Sequence, residues 1–172
     1  MKPIGPLMWE HRLIEQIIPL MEKQIGEIQE GENADIVFIE RAVDFFRTYA
    51  DRTHHGKEED ILFVELEKKP LTPAHRRIMK ELQEEHVLAR DNVKALIEAR
   101  QAYMDGDRTA RETLVSRMRN LVDLYPKHIV KEDKDFFFPV MDYFSTDEQA
   151  SMLERFWEFD RKMIHEKYQN IM

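Results

Sequence analysis

The 172-residue sequence contains no cysteine. Disulfide bonds, thiolate nucleophiles, cysteine zinc fingers and cysteine-ligated iron–sulfur clusters are therefore excluded. Any metal ion bound by this chain must be held by nitrogen and oxygen ligands, which histidine and the acidic side chains supply. The positions of the seven histidines consequently decide whether a metal site can form.

Positive charge is in deficit, with 26 Lys and Arg side chains against 34 Asp and Glu and a formal net charge of −8. Proteins that bind nucleic acid or anionic membranes usually present basic surfaces to the phosphates, so we expect neither partner. No apolar run approaches the length of a bilayer span, and the N-terminal residues lack the apolar segment of a signal peptide. We therefore expect a cytoplasmic protein.

Turn-forming residues are few, with 5 glycines and 7 prolines. Apolar residues recur every three or four positions over long stretches, which is typical of amphipathic helices, and no strand-like alternation occurs. The pattern predicts five helices, over about residues 4–30, 34–68, 73–104, 108–143 and 146–169. The four long ones pack most simply as an up-down-up-down four-helix bundle. We expect an all-α single domain over residues 1–172, with the bundle in about 5–143 and an additional short C-terminal helix in about 146–169.

Four histidines, one in each long helix, are predicted to lie at the same level of this bundle: His11, His54, His86 and His128. Each falls on the apolar face of its helix, about 18–20 residues from the turns at one end of the bundle. At about 1.5 Å per residue, all four lie roughly 27–30 Å from that end. Their side chains should therefore converge in the interior.

Two of these helices add a carboxylate one turn after the histidine. Glu58 follows His54 and Glu132 follows His128 by four residues, so each pair stacks on one helix face. Four imidazoles and two carboxylates in a dry interior are unfavourable unless something compensates for their lost hydration. A pair of metal ions would do so. Mixed nitrogen and oxygen ligation without thiolate suits iron best, and manganese and zinc are also compatible with it.

The segments around these residues resemble the hemerythrin-like family of HHE cation-binding domains. The matching stretches are residues 7–12 (Leu-Met-Trp-Glu-His-Arg), 58–63 (Glu-Glu-Asp-Ile-Leu-Phe), 85–90 (Glu-His-Val-Leu-Ala-Arg) and 132–139 (Glu-Asp-Lys-Asp-Phe-Phe-Phe-Pro). The resemblance implies a non-haem di-iron centre with an oxo or hydroxo bridge, ligated by His11, His54, Glu58, His86, His128 and Glu132. It also implies a protein that binds dioxygen or nitric oxide, or acts in redox chemistry or in iron handling and sensing, with a redox partner protein.

One position departs from the oxygen-carrying members of the family. Those proteins have a second histidine four residues after the ligand in the third helix, and this chain has Arg90 there. The remaining set of four histidines and two glutamates is similar to that of hemerythrin-like proteins linked to nitric oxide chemistry and iron–sulfur repair. The resemblance therefore favours nitric oxide or redox chemistry over reversible oxygen carriage.

A second histidine and glutamate four residues apart occur in the second helix. His55 and Glu59 lie about 100° round an α-helix from His54 and Glu58, on a more polar face. We therefore predict that His54 and Glu58 are the ligands. His55 and Glu59 are expected to support those ligands or to lie at the surface.

Three further side chains are expected outside the ligand set. His75 precedes His86 by eleven residues, about 16 Å along the helix, which is too far to share the centre. His165 belongs to the fifth helix, which the four-helix comparison does not include. Tyr125 is expected to pack in the core, with a hydrogen bond to the site as the alternative.

Two other functions stay open at this point. A ferritin-like di-iron oxidase or peroxidase would use Glu-x-x-His motifs, but none of the seven histidines has a glutamate three residues before it. A structural or partner-binding bundle would hold zinc or no metal, and metal analysis would separate it from a di-iron protein. We favour a metal-binding module over a dedicated enzyme, and we assign no catalytic residue.

Overall fold

The computed structural model describes residues 2–169, and within that range the chain is helical without any β-strand. Helix α1 spans Ile4–Gln29. Helix α2 starts as Ile36–Phe45, continues with π-helical geometry through Phe46–His55 and Glu58–Phe63, and ends with Val64–Glu67. Helix α3 spans Pro73–Met104. Helix α4 comprises Ala110–Val130, the π-helical Lys131–Phe136, Phe137–Val140 and the 3-10 turn Met141–Tyr143, and α5 spans Thr146–Gln169.

These bounds confirm the all-helical prediction and the presence of the fifth helix. Residue 1 and residues 170–172 of the predicted domain lie outside the described residues. The π-helical stretches were not predicted, because the apolar period of the sequence was interpreted with the α-helical value of about 100° per residue. A π-helix closes its hydrogen bonds between residues i and i+5, and such segments occur frequently at functional sites.

Local sequence explains where the helices begin. The Asp35 side chain accepts a hydrogen bond from the Phe38 backbone N–H at 2.9 Å. The Thr72 side chain accepts one from the His75 backbone N–H at 3.2 Å. At the start of α5, Ser145 and Glu148 exchange side-chain and backbone hydrogen bonds, as in a capping box. Asp35, Thr72 and Ser145 therefore serve as the N-caps of α2, α3 and α5.

The helices pack in a defined set of pairs. Helix α4 lies along α3 and along α1, and α2 packs against α3 and, through its π-helical part, against α1. Helix α5 packs on the π-helical segments of α2. These contacts bring the middle of all four long helices to one region of the interior.

Two apolar clusters fill the interior at different levels. The first contains Ile14, Ala50, Ala89 and Tyr125, and the second contains Leu7, Ile61, Leu82 and Phe136. On each long helix, a histidine that was predicted to bind metal falls between a residue of one cluster and a residue of the other. The fold therefore places one buried polar layer between two apolar ones.

Within the described residues, no helix combines the length and the apolar character that a bilayer span requires.

Candidate metal centre

The structure brings the six predicted ligands together in the buried layer: His11, His54, Glu58, His86, His128 and Glu132. All six residues are at most 3% exposed. The Nε2 atoms of His11 and His54 are 3.0 Å apart. Two unprotonated ring nitrogens at that distance repel each other unless a cation or a shared proton lies between them.

Each of the two glutamates contacts histidines on two sides. Glu58 places Oε1 3.6 Å from His54 Nε2 and Oε2 3.4 Å from His86 Nε2. Glu132 places Oε2 3.0 Å from His11 Nε2 and Oε1 3.2 Å from His128 Nε2. Each carboxylate therefore has one oxygen on each side of the layer, which is the arrangement that a carboxylate shared by two cations needs.

Two groups of four side chains could each hold a cation. The first is His11, His54, Glu58 and Glu132, and the second is His55, Glu58, His86 and His128. In each group, one ligand atom from every residue lies within 4.8 Å of the others. Because Glu58 belongs to both groups, the two candidate positions are neighbours.

His55 was predicted on the more polar face of its helix, as a support for the ligands or at the surface, but it lies buried among the predicted ligands. It is 1% exposed, and its ring stacks on that of His86 with 3.8 Å between centroids. The predicted position on the polar face was wrong because Phe46–His55 is π-helical. A π-helix has more residues per turn than an α-helix, so two consecutive residues can both face the interior.

A carboxylate lies behind each of the four predicted histidines, at Nδ1, the ring nitrogen that points away from the centre. The pairs are His11 with Asp133 at 2.7 Å, His54 with Glu10 at 2.9 Å, His86 with Glu59 at 2.7 Å, and His128 with Glu85 at 2.8 Å. An ionised carboxylate only accepts hydrogen bonds, so each Nδ1 must carry the proton. The Nε2 lone pairs are thereby free for a metal ion, as in other metal sites built on histidine.

These carboxylates form a ring of support around the four long helices. Glu10 of α1 supports a histidine of α2, Glu59 of α2 one of α3, Glu85 of α3 one of α4, and Asp133 of α4 one of α1. Each of the four is the sequence neighbour of a predicted ligand, yet supports a histidine on another helix. The acidic neighbour was visible in the sequence, but its partner was not.

A family model described as the hemerythrin HHE cation binding domain matches residues 3–139. This chain belongs to that family. The resemblance drawn from the ligand segments is therefore confirmed, and with it the assignment to a class of metal-binding domains. The clustered histidines and glutamates fit a metal site of that class.

Three mycobacterial proteins are similar to this chain. They are uncharacterized protein Mb2018 of Mycobacterium bovis, and uncharacterized proteins MT2051 and Rv1995 of Mycobacterium tuberculosis. Each is 26% identical over 161 residues, which is 93% of this chain and 62% of the relative. The chain thus spans less than two thirds of the length of the curated relatives it matches. No solved structure matches it.

Arg90, where oxygen-carrying hemerythrins have a histidine, supports two of the histidines from outside. Its guanidinium donates to Glu59 at 2.8 Å and to Asp51 at 2.7 Å. Glu59 in turn contacts His86, and the Asp51 carboxylate lies 3.4 Å from Nδ1 of His55. The position therefore acts on the ligand cluster through the two carboxylates that face it.

A buried lysine connects the cluster to α5. Lys57 is fully buried and pairs both with Glu10, which supports His54, and with Asp160 of α5 at 2.7 Å. Beside it, Gly56 leaves room for the Phe159 ring, since a Cβ at this glycine would lie 2.7 Å from that ring. This link was not predicted from the sequence, because a lysine usually lies at the surface.

The other residues that the sequence singled out lie away from the centre or pack beside it. His75 contacts the Tyr143 hydroxyl at 2.8 Å near the start of α3, and His165 is exposed on α5. Tyr125 is buried, and its ring lies parallel to that of His55 with 6.3 Å between centroids. Tyr125 belongs to the first apolar cluster and thus packs in the core.

The side chains of the cluster do not ionise as they would in water. Burial, together with the charge of Glu132, raises the pKa of Glu58 well above its ordinary value. Burial acts to raise the pKa of Glu132 too, but the charge of His128 and the ring contacts outweigh it and lower that pKa well below the ordinary value. Burial lowers the pKa of His54 to about 4. At His128 the contacts with Glu132 outweigh burial and raise the pKa to about 9.

Buried polar atoms without hydrogen bonds are a second, independent sign that these residues fit a metal ion. In the described part of the chain, both carboxylate oxygens of Glu58 and of Glu132 and the Nε2 atoms of His86 and His128 are buried without a hydrogen bond of acceptable geometry. Each such atom costs about 1–3 kcal/mol when it is left unpaired in the interior. All six are chemically suited to bind a cation.

Proposed function

We propose that this chain holds two iron ions in the buried layer, between four long helices in an up-down-up-down bundle. The centre binds dioxygen or nitric oxide, or exchanges electrons with a redox partner protein. The observation that carries the proposal is the pair of four-residue groups that share Glu58. Iron is favoured because the donors are imidazoles and carboxylates with no thiolate, and because the family's ligand segments match. Manganese and zinc compete for the same donors.

The ligand set that we propose is His11, His54, Glu58, His86, His128 and Glu132, with His55 as a seventh member. Bound iron would supply one-electron redox chemistry and a coordination position for a diatomic molecule. The protein would hold the ring nitrogens in the ligating tautomer, balance the charge of the ions with the carboxylates of Glu58 and Glu132, and keep bulk water away with the two apolar clusters.

We also propose that α5 belongs to the same domain as the bundle, which makes one domain of the whole chain. The contacts of Lys57 with Asp160 and of Gly56 with Phe159 support this view, because they join α5 to the layer that holds the candidate ligands.

The first test is the metal content of the protein after expression in iron-replete medium. We expect about two irons per chain, together with near-ultraviolet and visible absorption that changes when nitric oxide is added. Elemental analysis and an absorption spectrum on the same sample provide both readings. Stoichiometric zinc in a colourless protein would contradict the di-iron proposal and would support a structural bundle instead.

His55→Ala tests whether the seventh side chain is a ligand. We expect the variant to lose one of its two irons, or to bind it at least about tenfold more weakly, because the second group keeps only three members. His75→Ala is the matched control, since it removes a histidine from the start of α3. If His55→Ala folds, keeps two irons and keeps the parent spectrum, then His55 is not a ligand.

A further inference from the structure

A cavity of about 330 Å³ opens between α2, α3 and α4 beside the candidate metal centre. Its walls are mostly apolar and are formed by Phe46, Ala89, Val93, Ile97 and Tyr125. The volume lies at the lower end of the range for small-molecule sites, about 300–1,000 Å³. The cavity therefore has room for a small organic molecule and exceeds what a diatomic gas requires.

The floor of the cavity is formed by buried groups of the site itself. His55 lines it, and within residues 2–169 its buried Nδ1 atom has no hydrogen bond of acceptable geometry. Tyr125 lines it next to His55 and is only 2% exposed. A molecule that fills the cavity would therefore place its inner end against a member of the second candidate group.

The mouth of the cavity is positively charged. Arg47 of α2 and Lys94 of α3 are exposed, line the opening from opposite helices, and form no ion pair within the described residues. Arg90 and the carboxylate of Asp51 also line the cavity, but they pair with each other, and Glu59 pairs with Arg90 as well. Two unpaired cations at the mouth stand out in a chain with a net charge of −8.

We propose that this cavity binds a small organic carboxylate with an apolar chain of about six to eight carbons. The carboxylate group pairs with Arg47 and Lys94 at the mouth, since both side chains form charge-assisted hydrogen bonds with carboxylates. The apolar chain extends along Phe46, Val93 and Ile97. That its far end lies beside a metal ion rests on the proposed function, whereas the binding itself does not.

Octanoate is the probe, and isothermal titration of the full chain as purified, with its metal content measured on the same sample, is the measurement. We expect octanoate to bind at least about tenfold more tightly than octan-1-ol, which has the same chain length without the charge. Arg47→Gln combined with Lys94→Gln should weaken octanoate binding at least about tenfold. Arg77→Gln combined with Lys80→Gln is the control, because it also removes two exposed positive charges. These residues lie about 20 Å or more along α3 from Lys94, so the variant should leave octanoate binding unchanged.

A second variant tests the position of the chain. Ile97 is half-buried at the cavity wall, so Ile97→Trp fills the space with little disturbance of the interior and should abolish octanoate binding. Circular dichroism verifies that the variant is folded. The proposal is overturned if octanoate does not bind, if octan-1-ol binds equally well, or if neither Ile97→Trp nor the Arg47 and Lys94 variant weakens binding.

The metal-loaded protein separates this proposal from the proposed function. Octanoate should change the visible absorption of the loaded protein, and the Arg47 and Lys94 variant should keep the full metal content but lose this response. If the purified protein contains no iron, the di-iron proposal fails, and the titration of that protein still decides whether octanoate binds. If octanoate binds but leaves the spectrum of the loaded protein unchanged, the placement of its far end beside the metal is wrong.

Discussion

Removal of both metal ions is expected to lower the melting temperature on the order of 15–30 °C. An ion that binds only the folded state at about 1,000 times its dissociation constant stabilises that state by about 4 kcal/mol, so two ions contribute about 8 kcal/mol. For a chain of this size, each kcal/mol shifts the melting temperature by about 2–4 °C. Thermal melts followed by circular dichroism, with and without chelation, measure the difference.

The loss of stability on metal removal is expected to be greatest around the metal centre. Without metal, polar atoms of Glu58, Glu132, His86 and His128 that lack a hydrogen bond stay buried, and nothing compensates for their lost hydration. We expect faster amide hydrogen exchange at residues 50–62 and 124–136 than in the ends of the same helices. Equal melting temperatures in the two forms would place the metal outside the core and would contradict the proposed centre.

The sequence sufficed for the helices and for the level of the four predicted histidines. Helix position in a bundle depends on the apolar period and on the rise per residue, and both are local properties that can be counted. The same counting located Glu58 and Glu132, because a glutamate one turn from a histidine shares its helix face.

His55 could not be found by that counting. The α-helical period places it on the polar side of α2, and the π-helical hydrogen bonding of Phe46–His55 returns it to the interior. Packing against the other helices selects such geometry, and no single residue in the segment predicts it. A consecutive pair of histidines before a glutamate was the only sign in the sequence.

The supporting carboxylates were missed for a different reason. Glu10 and Glu85 stand directly before a predicted ligand, and Glu59 and Asp133 directly after one, so each looked like a polar residue beside its own site. Which histidine each of them supports depends on how neighbouring helices are rotated, and that is a tertiary property. The same holds for Lys57, whose partners lie on α1 and α5.

The largest effect of a single side chain is expected for Glu58→Gln. Glu58 belongs to both candidate groups and approaches a histidine of each with a different oxygen. The substitution keeps the volume of the side chain but removes the negative charge that would balance two cations in a poorly hydrated interior. We expect iron content to fall from about two to fewer than one per chain, with loss of the absorption typical of a bridged pair, as measured by elemental analysis and spectroscopy.

Glu59→Gln is the matched control, one residue further along the same helix. Its carboxylate touches no proposed metal position but accepts from His86 Nδ1 and from Arg90. An amide oxygen can still accept the histidine proton, so the variant should hold two irons at saturation with affinity reduced by about tenfold. Comparison at saturating iron separates loss of a ligand from loss of its support. If Glu59→Gln loses iron while Glu58→Gln keeps it, α2 is rotated relative to the arrangement described, and Glu58 is not shared by two ions.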